Sequence, residues 1–157
     1  MLSCSAEGWF FSADHILDRV PPLLIQSPLD PDGDNYGLYL QSLHQVEMMV
    51  DQETLVLPGR HVPFHGLRPA IAALKASHGG RVERVQTESR QVPRSIPELA
   101  PLLFPGKMNG RKMHYAVFEI LAYINRPAAK TGWNGCLQTK SASAGSGRLA
   151  RRWRARP

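Results

Sequence analysis

A chain of 157 residues is long enough for one ordinary domain with a buried core, and its 43% hydrophobic and 20% charged content is that of a globular protein. No apolar run approaches the roughly 20 residues of a membrane-crossing helix, and no basic stretch leads into an apolar one at the N-terminus. Both observations argue against a membrane or secreted protein and make the cytoplasm the expected compartment. Charge is uneven: residues 1–105 carry 8 Lys+Arg and 12 Asp+Glu, net −4, whereas residues 106–157 carry 11 and 1, net +10.

Gly8-Trp-Phe-Phe-Ser-Ala13 reads as a short buried strand, since aromatic residues suit strands and Asp14 punctuates the run. Residues 26–37 are dense in Pro, Asp, Asn and Gly and predict a loop. A helix is expected from about Leu38 to Val50, with Leu40, Leu43, Val46 and Val50 on one face. Thr54-Leu-Val-Leu57 is a second β-type run, stopped by Pro58-Gly59. A further helix begins near Leu67, with Pro69 in its first turn and Leu67, Ile71 and Leu74 together. Gly79-Gly80 is expected to weaken or end it, with a second helical piece from Arg81 to about Glu88. Ser95, Pro97 and Glu98 have the spacing of a capped helix start, followed by Leu99, Leu102, Leu103 and Phe104. The last helix spans about Gly110 to Asn125, with Met113, Val117, Ile120, Leu121 and Ile124 lining one side, and Arg126-Pro127 stops it. That stripe is a buried face, or an exposed apolar face joining two copies of the chain as a homo-oligomer. Beyond it, residues 128–157 are rich in Ala, Gly, Ser, Thr and basic residues with no apolar period, and predict a disordered basic tail.

Two segments place polar, metal-capable residues just after a β-type run, where strand ends fix a side chain and loops expose it. One is Phe11-Ser-Ala-Asp14-His15-Ile-Leu17; the other is Leu55-Val-Leu-Pro-Gly-Arg60-His61-Val-Pro-Phe-His65-Gly-Leu67. An Asp after a strand is in general a turn or cap residue, and His15 and His65 near the same loops read as surface or supporting residues. Cys4 and Cys136 lack paired metal-ligand spacing and read as free thiols, with a bridge between them as the alternative.

Together these segments resemble the metallo-β-lactamase superfamily. Its usual pattern is a strand with F-S-G-D-x-(V/I)-L, then a strand ending in (V/L)-L-P-(G/S)-H-(G/H)-x-P-F-x-G-L. Ser77-His-Gly-Gly-Arg-Val82 loosely matches an H-H-x-x-R-L-like stretch that follows. Ile96–Phe104 and Met113–Ile124 resemble the winged-helix-like helical extension of one branch of that family. The resemblance covers roughly residues 8–126. It implies an α/β (α+β) fold: part of the αβ/βα sandwich over 1–90, the helical winged-helix-like extension over 91–127, and the tail over 128–157.

The resemblance also implies an activity, metal-dependent hydrolysis of a small-molecule ester, thioester or lactone, and two zinc ions in the intact family. The Asp of the first motif bridges those metals there, and the His of the second ligates one. Asp14 matches the bridging Asp, with Ala13 in place of the usual Gly. Arg60 stands where the ligand His is expected, and arginine, always protonated, cannot ligate a metal. His61, one place on, could substitute only if the loop shifted register by one residue. The family's H-x-H-x-D-H signature appears nowhere in the chain. The resemblance would put that signature, and a further ligand His, in a sheet half preceding residue 1. With Asp14 and His61 as the only candidate ligands, the expected reading is a C-terminal part that binds no zinc and is inactive alone. The alternative is a small helical nucleic-acid-binding module, its tail residues Arg151, Arg152, Trp153 and Arg154 contacting phosphates and stacking on a base.

Overall fold

The computed structural model describes residues 2–4, 7–27, 29–30 and 33–125. The expected disordered tail, its arginines and Trp153, and the Arg126-Pro127 stop lie outside the described residues, as does Cys136. The fold is mixed α/β. Its strands are β1 (Leu2–Cys4), β2 (Trp9–Ala13) and β3 (Leu55–Pro58); its helices are α1 (Asn35–Met49), α2 (Leu67–Gln91), α3 (Ile96–Leu103) and α4 (Gly110–Ile124). The chain divides into two compact units: one takes in Met1–Leu24 and Asn35–Gly80, the other Ile25–Asp34 and the chain from Arg81 onward.

In the first unit the three strands form one sheet in the order β1-β2-β3. β1 runs antiparallel to β2, pairing Leu2 with Phe11 and Cys4 with Trp9. β3 runs parallel to β2, pairing Trp9 with Leu55 and Phe11 with Leu57. Parallel neighbours require a crossover, which α1 provides. Along β2 the side chains alternate, Phe10 and Ser12 buried and Phe11 exposed, the period of a pleated strand. The ladder then slips between Phe11 and Ala13, so that Ala13 pairs with Pro58.

α1 starts at Asn35, earlier than the turn-rich composition predicts. Tyr36 is buried in its first turn, together with Tyr39, Leu43 and Val46, whereas Leu40 and Val50 are only half-buried. Placing Gly37 in a helix costs about 1 kcal/mol relative to Ala. Burying one large apolar side chain returns about 1.5–3 kcal/mol, which decides the matter for Tyr36. α2 likewise runs unbroken through Gly79-Gly80. The two glycines together cost about 2 kcal/mol, but Leu74, His78, Val82 and Val85 are all buried at helical spacing across them. The expected face of Leu67, Ile71 and Leu74 is buried, joined by Ala70 and His78.

In the second unit α3 begins as the sequence predicts. The Ser95 amide and hydroxyl both donate to the Glu98 carboxylate, at 2.7 and 2.6 Å, satisfying a backbone donor at the helix start. α4 is capped by the Asn109 side chain, which accepts from the Lys112 amide at 2.8 Å. Its buried face is shifted from the expected one. Ile120 is buried as expected, but with Ala116, Glu119, Ala122 and Tyr123, while Met113, Val117, Leu121 and Ile124 are half-buried. The stripe turns because Glu119 is accepted into the interior with partners: Arg81 Nη1 lies 2.6 Å from its Oε1, and the Tyr123 hydroxyl donates to the same oxygen at 2.6 Å. The Arg81 guanidinium also lies 5.1 Å from the centre of the Phe104 ring. Among the described residues, no helix is long and apolar enough to cross a membrane.

Candidate functional site

The two loops singled out in the sequence lie side by side because β2 and β3 are parallel neighbours, so both strands deliver their C-terminal ends to the same edge of the sheet. The Gly59 amide donates to the Ala13 carbonyl at 2.8 Å and carries the ladder one step past β3. The loop after β3 then folds back: Val56 and Phe64 exchange both backbone hydrogen bonds, at 2.8 and 3.0 Å. Gly59 to Pro63 are thereby presented as an exposed five-residue turn.

The first loop is anchored from below. Ser12, fully buried, donates its hydroxyl to the Ile16 carbonyl at 2.8 Å, and the His15 amide closes a turn onto the Ser12 carbonyl at 3.1 Å. Ile16 and Leu17 sink into the interior. Asp14 stands at the exposed tip. His15 is held beside it by α1: its Nε2 lies 2.8 Å from the Ser42 hydroxyl, and its carbonyl accepts from the Tyr39 hydroxyl at 3.2 Å. The Ser42 hydroxyl also lies 2.9 Å from the Tyr39 carbonyl, an acceptor that competes with the imidazole for its single proton. Burial holds the His15 imidazole below its ordinary pKa of 6.5, in keeping with a neutral ring. A row of rings continues inward, His15 edge-on to Tyr39 at 5.0 Å and Tyr39 edge-on to buried His78 at 5.5 Å.

Across the gap, Arg60 takes hold of Asp14 with two contacts. Its Nε lies 3.1 Å from Oδ1, and its Nη2 lies 3.1 Å from Oδ2. The guanidinium fork thus engages both carboxylate oxygens, the bidentate geometry that arginine favours. Gly59 lets the loops approach: a Cβ there would stand 2.9 Å from Asp14 Oδ1 and 3.2 Å from the Ala13 carbonyl carbon. The two non-glycine residues with positive φ among the described residues are Ala13, at 49°, and His61, at 70°. Each sits beside one member of the pair.

The sequence-predicted site residues are therefore only partly brought together. Asp14 meets Arg60. His61 is exposed and makes no hydrogen bond or ion pair with a described residue, and the loop keeps the register that sets Arg60 against Asp14. His65 is exposed, its Nδ1 3.1 Å from the Glu53 carbonyl. A hydrolytic zinc site needs three protein ligands. Among the described residues no group of three or more His, Cys, Asp and Glu side chains could hold a metal ion. The donors present do not fit the zinc pair that the resemblance implies. The sequence reading missed the pairing itself, treating Arg60 as a lost ligand, although a cation one loop away from a carboxylate was the available signal.

No protein-family model matches the chain, and no curated protein does. Solved structures do. A β-lactamase domain protein from Burkholderia ambifaria superposes with a TM-score of 0.73 at 33% identity, covering 81% of this chain and 37% of that one. A metallo-β-lactamase family protein from Thermus thermophilus gives a TM-score of 0.66 at 23% identity, covering 81% of this chain and 38% of that one, a likeness of fold alone. The chain therefore spans little more than a third of the length of either neighbour. By its parallel β2-β3 pair, the loops at their C-terminal ends and these likenesses, the chain is related to the metallo-β-lactamase family and has part of that fold.

Proposed function

We propose that the chain is a part of a metallo-β-lactamase-fold hydrolase of esters, thioesters or lactones, and that it has no hydrolytic activity by itself. The observation that carries this reading is the Asp14 and Arg60 loop pair, placed side by side at the strand ends without a metal-holding group among the described residues. The 33% identity over 81% of the chain supports the family half of the proposal. In the whole protein, zinc would be held by residues that this chain does not contain, and it would supply the attacking hydroxide. Within the chain, Ser12, Gly59 and the β2-β3 register position the two loops; α3 and α4 serve as a winged-helix-like extension, and the setting is the cytoplasm.

Two measurements test this. Purified chain supplied with zinc and a panel of ester, thioester and lactone substrates gives no turnover above buffer; zinc-dependent turnover lost in Asp14→Asn would overturn the inactivity. The coding sequence upstream of Met1 contains an in-frame H-x-H-x-D-H; a stop codon immediately before Met1 would count against the larger hydrolase.

The net charge of +10 over residues 106–157 supports a second reading, nucleic-acid binding through Arg151, Arg152, Trp153 and Arg154. Filter binding at two salt concentrations decides it, since affinity that survives deletion of residues 128–157 contradicts the tail as the contact.

A further inference from the structure

We infer that Arg60 is a built-in replacement for a metal ion at Asp14, so that in this chain the Asp14 loop is closed by a guanidinium and does not take up zinc. The inference concerns the partner of Asp14 and stands whether or not the chain belongs to a hydrolase.

Three independent features converge on it. The first is occupancy of the carboxylate. Arg60 contacts Oδ1 through Nε and Oδ2 through Nη2, both at 3.1 Å, which leaves neither oxygen clear of a fixed positive charge. A divalent ion approaching Asp14 would have to displace that charge or sit beside it. The second is backbone preparation. Gly59 permits close approach to Ala13 and Asp14, and Ala13 and His61 hold left-handed conformations on either side of the pair. Such conformations cost about 1–2 kcal/mol for a residue with a Cβ. The third is register. The Gly59–Ala13 and Val56–Phe64 backbone bonds pin both ends of the turn, which fixes Arg60 opposite Asp14 and leaves His61 without a described partner. A one-residue slip that offered His61 to the carboxylate would break those bonds.

The pair does the mechanical work of a bridging ion, tying the end of β2 to the loop after β3, without Lewis acidity. Both side chains are more than half exposed, 60% for Arg60 and 59% for Asp14, so the tie weakens with salt.

The test uses zinc alone as the probe, titrated against a chromophoric chelator, on the full chain and three variants: Asp14→Asn, Arg60→His, and Arg60→His combined with Asp14→Asn. The wild type and Asp14→Asn hold zinc equally weakly. Arg60→His frees the carboxylate and adds an imidazole next to it, raising zinc affinity at least about tenfold, the lower end of what changing a metal's surroundings does, and the double variant loses that gain. Zinc uptake by the wild type that Asp14→Asn removes would overturn the inference, as would an Arg60→His protein that binds no more tightly than wild type. Should Arg60→His fail to fold, the Arg60 Nε–H resonance of the wild type decides. It is shifted by the carboxylate and moves to the position of a free guanidinium in Asp14→Asn; an unchanged resonance would refute the pairing.

Discussion

Two carboxylate–arginine pairs, one in each unit, show how burial changes what the same chemistry does. Asp14 and Arg60 meet in solvent, each more than half exposed. Glu119 and Arg81 meet with the carboxylate side chain 4% exposed and the guanidinium 26% exposed. A solvent-exposed pair contributes about 0–1 kcal/mol and serves mainly to fix geometry. A buried pair need not stabilise the fold relative to apolar residues, but breaking it leaves an uncompensated charge in the interior. The second pair therefore guards stability, and the first shapes a surface loop. Glu119 shows the tension directly: burial pushes its carboxyl above the ordinary range, against the Tyr123 hydrogen bond and the Arg81 charge that favour ionisation.

The comparison can be broken at several places. Arg81→Ala removes the cation from the buried Glu119 carboxylate and is expected to lower unfolding free energy by about 3 kcal/mol, read by chemical denaturation; a loss below about 1 kcal/mol would show that water reaches the carboxylate. Next in size is Ala13→Gly, which relieves a positive φ and should stabilise the chain by about 1 kcal/mol after glycine's larger unfolded-state entropy is counted. Arg60→Ala should cost less than about 1 kcal/mol, with the difference from wild type vanishing in high salt. The smallest effect is one of slope. A carboxyl whose pKa is raised on folding holds its proton more tightly in the native state, so stability is present below the ordinary value of 4.5 and lost as pH rises above it. In Glu119→Gln that decline, followed by melting temperature from acid to neutral pH, should be shallower than in the wild type. An identical slope would assign the pH dependence to other groups.

Much of the first unit was legible because its signals are local. Aromatic residues bounded by Gly8 and Asp14 announced β2, and Leu55-Val-Leu ahead of Pro58-Gly59 announced β3. The strain at Ala13, where the resembled pattern has Gly, was visible in one letter and appears as φ 49°. What could not be read was decided by partners distant in sequence. Turn-forming composition around Asn35 and Gly37 yielded to the burial of Tyr36, and the glycine pair in α2 yielded to the apolar stripe on either side. The face of α4 was read only in part, at Ile120, because a glutamate counts as polar until Arg81, 38 positions away, makes it acceptable inside. The Asp14–Arg60 contact spans 46 positions and depends on the parallel register of β2 and β3, which no local pattern encodes.

The return of Phe64 onto Val56 also bears on how the sheet avoids growing. Among the described residues β3 has a strand neighbour, β2, on one side, and its other rim is where a strand from a second molecule could add. By the two-residue period, the backbone donors on that rim belong to Val56 and Pro58, since the Leu55 and Gly59 amides donate toward the β2 side, to Gly8 and Ala13. The Val56 N–H is already spent on the Phe64 carbonyl, and proline has none to offer. The turn that displays Arg60 thus leaves the rim of β3 without a donor, and the chain is guarded there against the edge-to-edge association that seeds aggregates.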